Sequence, residues 1–150
     1  MLPSSEQMHP KIRAIVDYWR AIHPAGGGLP GLAQINPLDI PSLLEDIWIL
    51  DVRRNPYRFK VRLIGEKTRR SGAPFHKGFD FDELGGGKVR ENLLAVLVKV
   101  VETHEPDWYR GPPNVPHTVE LRELERVILP LAADGKTVDA ILILSFFYPL

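Results

Sequence analysis

A chain of 150 residues, 44% hydrophobic and 25% charged, has the size and make-up of one folded globular domain, which excludes a disordered or fibrous chain. Its 19 basic residues balance 19 acidic ones, which argues against nucleic-acid binding, where phosphate neutralisation asks for a basic excess. Without cysteine there is no disulfide, no thiol nucleophile and no Cys-ligated zinc or iron–sulfur cluster.

The spacing of Ile12, Ile15, Val16, Trp19 and Ile22 predicts an amphipathic helix from about His9 to Ile22, with Lys11, Arg13, Asp17 and Arg20 on its wet side. His23-Pro24 and the glycines 26–28 stop it. We read those glycines as a hinge, dividing the chain into a helix-and-hinge segment, 1–28, and a domain, 29–150. From Leu29 to Asp46, prolines at 37 and 41 suit the first positions of one or two short helical turns, with Leu43, Leu44 and Ile47 anchoring them to the core.

Ile47 to Val52 reads as a strand, Arg53 to Pro56 as a turn. Tyr57 to Ile64 then alternates cleanly, with Tyr57, Phe59, Val61 and Leu63 on one face and Arg58, Lys60 and Arg62 on the other. That pattern predicts an antiparallel hairpin. Gly65 to Gly87 reads as loops and short helical turns carrying Phe75, Phe79 and Phe81. Lys88 to Glu105 reads as a long helix, with Val89, Leu93, Val96, Leu97, Val100 and Val101 on its buried side and Pro106 ending it. A short strand over Asp107 to Arg110 and a Pro-rich loop from Gly111 to His117 follow. Arg122 to Ala132 and Val138 to Phe147 form a hairpin around Asp134-Gly135. Both faces of the last strand are apolar, so it is covered on both sides, the first helix being the candidate for one cover. The order predicts an α+β fold: an antiparallel sheet with a long helix and short helices on one side and the N-terminal amphipathic helix on the other.

No apolar run reaches the ~20 residues that span a bilayer, since Ser145 and Pro149 interrupt the longest. Met1 to Met8 shows no basic stretch followed by an apolar one. These features lead us to expect a cytoplasmic protein with no membrane partner.

The stretches Ile35-Asn36-Pro37-Leu38-Asp39-Ile40-Pro41, Trp48 to Val52, Phe59 to Gly65 and Ile128-Leu129-Pro130-Leu131 with Asp134-Gly135 resemble a family of single-domain bacterial PAS-like proteins. Gly72 and Gly78 match a recurrent pair, while Ala73 to Lys77 departs from the family's habit. The resemblance implies a five-stranded antiparallel PAS fold, which commonly binds a small molecule or a partner between sheet and helices, or dimerises through an N-terminal helix.

Among the five histidines no His-x3-His pair occurs, so no metal site is expected, and His104 suits a helix C-terminus. Asp80, Asp82 and Glu83 could imitate paired catalytic carboxylates, but also suit a helix start. Gly85 to Lys88 before the long helix could hold an anion on free N–H groups, without the strand or the Ser/Thr of a phosphate loop. The candidate pocket comprises Trp48, Phe59, Val61, Phe75, Phe79, Leu97, Val101, Leu129 and Leu142, with Arg62, His104, Tyr109 and Arg126 as its polar groups. Ile12, Ile15, Val16, Trp19 and Ile22 are the candidate homodimer interface.

The expected function is a stand-alone sensory or interaction module, not an enzyme, that signals to a partner protein. The alternative is a small enzyme using a carboxylate or histidine as general base, with Asp82 and His104 in that role.

Overall fold

A computed structural model of the protein describes residues 2–71, 74–113 and 121–149. Gly72, Ala73 and the Pro-rich loop beyond residue 113 lie outside the described residues.

Helix α1 spans Pro10–Ala21, with Pro10 at its first position and the His9 ring accepting from the Lys11 N–H. Three short 3₁₀ turns follow, Leu32–Gln34, Pro37–Asp39 and Pro41–Asp46, with Pro37 and Pro41 each opening one. Strands β1 (Ile47–Arg53) and β2 (Arg58–Ile64) form the first hairpin. A short helix α2 (Glu66–Arg70), a turn at Phe81–Glu83 and the long helix α3 (Lys88–Thr103) precede β3 (Asp107–Gly111), β4 (Leu121–Leu131) and β5 (Ala140–Pro149). The sheet is antiparallel throughout, in the order β2-β1-β5-β4-β3. The fold is therefore the expected α+β architecture.

β5 is the central strand, and Ala140 to Ser145 are buried in succession, as a strand covered on both faces requires. α1 packs on β4 and β5, with Ile12, Ile15 and Val16 fully buried and the Trp19 indole donating to the Pro130 carbonyl at 2.9 Å. Each such aliphatic side chain contributes about 1.5–3 kcal/mol. α3 and the aromatic segment around Phe75 to Phe81 cover the opposite face.

Two expectations about faces are corrected. Leu63 is 47% exposed, not buried with Phe59 and Val61. The β1–β2 register shifts between Ile49 and Leu50, which pair with Leu63 and Val61, so Arg62 is an extra residue and Leu63 changes face. Val89 is 44% exposed, because only the C-terminal half of α3 (Leu97, Val100, Val101) is buried.

Close approach fixes two glycines. Gly28, at φ 88°, donates the chain to Leu29, whose N–H bonds the Gly135 carbonyl, and a Cβ on Gly28 would meet that oxygen at 2.8 Å. The expected hinge is thus seated on the β4–β5 turn. At Gly65 a Cβ would lie 2.5 Å from the Leu44 and Glu45 carbonyl oxygens. We predict that Gly65→Ala costs about 1–3 kcal/mol, as overpacking against backbone does. Gly85→Ala, with open space around it, is expected to be near neutral by the same urea titration.

Candidate functional site

β4 carries two consecutive buried charges, Glu125 at 0% and Arg126 at 6% exposure. Neighbours on a strand point to opposite faces. Glu125 pairs with Arg110 and Phe146 on the α1 face, and Arg126 pairs with Tyr109 and Ser145 on the α3 face.

On the α1 face, Glu125 accepts from the His9 backbone N–H at 2.9 Å, the Trp108 indole at 3.0 Å and the Tyr148 hydroxyl at 2.8 Å. Hydrogen bonds to a charged group are worth about 1.5–3 kcal/mol each, so three of them offset much of this carboxylate's desolvation. Burial, then the bond to Glu125, pushes the Tyr148 hydroxyl up to about 12. The His9 ring stacks on Phe146 with centroids 3.7 Å apart, and burial holds its pKa below the ordinary 6.5. This cluster anchors the start of α1.

The α3 face is different. Arg126 donates from Nη1 to Asp107 at 2.9 Å, and its guanidinium lies 5.4 Å from the centre of the Tyr109 ring. Its Nε is buried without a hydrogen-bond partner among the described residues. An unsatisfied buried donor costs about 1–3 kcal/mol, more for a charged group. Arg126 lines a solvent-open cleft of about 400 Å³. Tyr109, Lys88 and Asn92 supply its other polar groups, and Val89, Leu93 and Val96 its apolar wall. The cleft lies between the first turns of α3, where Val89 is exposed and Leu93 and Val96 are only partly buried, and the β3–β4 pair. Gly87, the N-cap of α3 at φ 109°, offers the first turn no capping side chain.

Of the pocket candidates, only Tyr109 and Arg126 line this cleft. Trp48, Phe59, Val61, Phe75, Phe79, Leu97 and Val101 are buried core. Phe75 stacks on Trp48 at 4.8 Å and on Phe81 at 5.2 Å, so these aromatics pack on one another. The Trp48 indole also donates to the buried Ser145 hydroxyl at 3.2 Å. Leu129 and Leu142 pair with each other on the opposite face, beneath α1. Arg62 bonds Asp51 at 2.9 Å in a separate cleft of about 270 Å³ beside Gln34 and Asp139. His104 is an exposed left-handed C-cap at φ 62°.

The candidate dimer stripe faces its own sheet. Ile12, Ile15, Val16 and Trp19 are buried inside the chain and Ile22 partly so, which corrects their assignment to an interface. A second copy would have to be held by another surface. The acidic cluster is engaged locally: Asp80 and Glu83 close a capping box, and Arg58 and Arg90 pair with Asp80 and Asp82. Among the described residues, no three His, Asp or Glu side chains gather to hold a metal ion, and no helix is long and apolar enough to cross a membrane.

Sequence reasoning missed Asn92, Leu93, Val96 and Ser145 as neighbours of this site, and Glu125 as an anchor. Lone polar residues in apolar strands, Ser145 and the Glu125-Arg126 pair, were the available signal.

A family model described as a PAS domain matches residues 7–144. The chain matches no curated protein and no solved structure.

Two outcomes follow from the anchor. Glu125→Ala leaves three donors without their acceptor and is expected to cost about 3 kcal/mol or more, with Glu125→Gln milder, read by urea unfolding. The second concerns pH. The folded state favours neutral His9, so the unfolded chain takes up the proton first as pH falls below 6.5. This contribution is fully present above that pH and is lost down to the lowered folded pKa. Thermal unfolding from pH 7 to pH 5 should show the loss, and His9→Asn, a cap that does not titrate, should remove that part of it.

Proposed function

The chain belongs to the PAS domain family, and from that membership we propose that it is a sensory module whose input is a small molecule bound in the cleft between α3, β3 and β4. Its output, in this reading, is association with a partner protein, and no catalytic step is assigned to it.

One observation carries the proposal: a solvent-open cleft where a nearly buried, half-partnered arginine meets an apolar helix face. Ligand sites pair a mostly apolar wall with a few convergent polar groups, and about 400 Å³ lies within their usual range. The position also suits signalling. α3 lines the cleft with its N-terminal half and is rooted in the core by Leu97, Val100 and Val101. Filling the cleft would load one end of a rigid element whose other end is packed on the sheet. Val89, exposed at the cleft, lies where a partner could read that change.

Native mass spectrometry of freshly purified protein is expected to show a retained small molecule. Leu93→Trp, which puts an indole into the cleft, is expected to abolish retention while the protein stays folded by circular dichroism. A bare chain whose α3 and β3 amide signals respond to no compound of a metabolite library would overturn the reading.

A further inference from the structure

We infer that the occupant of this cleft is a small organic carboxylate with an apolar body, its carboxylate held by Arg126 and its body lying along α3. The inference rests on the sensory reading of the same cleft and names its ligand class.

The charge of the lining comes first. Among the described residues, Lys88 and Arg126 are its ionisable side chains besides the Tyr109 phenol, and no carboxylate lines it. The second point is the state of Arg126. A guanidinium is a planar fork of N–H donors suited to carboxylates. Asp107 occupies Nη1, while the buried Nε–H has no acceptor among the described residues. Arg126 lines the cleft and keeps a buried donor that no described residue satisfies. Third, the first turn of α3 begins at the cleft without a side-chain cap, and the N-terminal end of a helix favours negative charge.

The rest of the lining narrows the anion. Tyr109 donates its hydroxyl proton to the Pro112 carbonyl at 2.6 Å, and its ring lies beside the guanidinium. Val89, Leu93 and Val96 offer nothing to a highly hydrated phosphate but do suit an aliphatic or aromatic body. Asp107 already answers part of the Arg126 charge, which leaves a balance matched by one carboxylate better than by a dianion.

The test is an amide-correlation NMR titration of the full chain with benzoate and hexanoate, each against its neutral isostere, benzamide and hexanamide. The acids are expected to give saturable shifts in the first turn of α3 and at the Arg126 Nε–H, and the amides to bind at least about tenfold more weakly. Arg126→Gln should weaken benzoate by a similar factor. Should that variant fail to fold, exposed Lys88→Gln, expected to weaken benzoate about two- to fivefold, takes its place. Asp107→Asn removes the competing negative charge and is expected to tighten benzoate severalfold, a gain that a purely structural role for Arg126 would not produce. A palmitate arm separates sources of one chemistry: binding by palmitate alone assigns the carboxylate to a lipid, binding by the short acids to soluble metabolites. Amides that bind as tightly as the acids, or a folded Arg126→Gln protein with unchanged benzoate affinity, would overturn the inference and leave the sensory reading standing. If no acid binds but native mass spectrometry finds a retained neutral molecule, the same holds. With no binding and no retained molecule, both fall.

Discussion

A β-strand must send neighbouring side chains to opposite faces, and β4 places a glutamate next to an arginine where both faces are covered. The two charges cannot neutralise each other across the strand, so each must be satisfied within its own layer. The arrangement of both layers follows from that constraint. On the α1 side it brings the chain's first helix, the edge strand β3 and the end of β5 to one carboxylate. On the α3 side it brings Asp107 and Tyr109 to one guanidinium.

The two solutions differ in completeness, and the difference separates structure from function. Glu125 has a donor from each of three chain segments, so its burial is a closed arrangement that orders the N-terminus. Arg126 has an ion pair and a ring beside it but, among the described residues, keeps one buried donor unmet, and the residue lines a solvent-open cleft. Native interiors hold very few such groups, because each subtracts from a stability of only about 5–15 kcal/mol. The unmet donor therefore makes the α3 side the face on which the proposed ligand is placed. The α1 side is the one that holds the chain together.

Much of the architecture was legible because it rests on short-range periodicity. The β5 run from Ala140 to Leu144 announced a strand covered twice, and Asp134-Gly135 announced the hairpin that delivers it. Leu63 was misread because a single extra residue, Arg62, inverts every later side chain of its strand, and alternation in sequence carries no mark of a bulge. The stripe on α1 was read twice, as a cover for the sheet and as an interface. Periodicity fixes which residues are apolar but not which surface they meet, and here the chain's own sheet meets them. The polar site was the least legible part. His9 and Glu125 lie 116 positions apart, and Arg126 reaches Asp107 only through the β3–β4 register.

The aromatic cluster fills the centre of the α3 layer, and the cleft lies at its edge. Trp48, Phe75, Phe79 and Phe81 stack into the space between sheet and helices, and dispersion gained there would be forfeited by opening it. The glycines before α3 and the lack of a cap leave the helix start free of that packing, while Leu97, Val100 and Val101 commit its far half to it. One helix is thus divided between a fixed end and an available end. An element fixed at one end can convert a change in charge at the other into a change in position, since tight packing transmits strain and does not absorb it. The cleft at the free end, lined by Arg126 and Lys88, is where a charge could enter without dismantling the core, as the proposal requires.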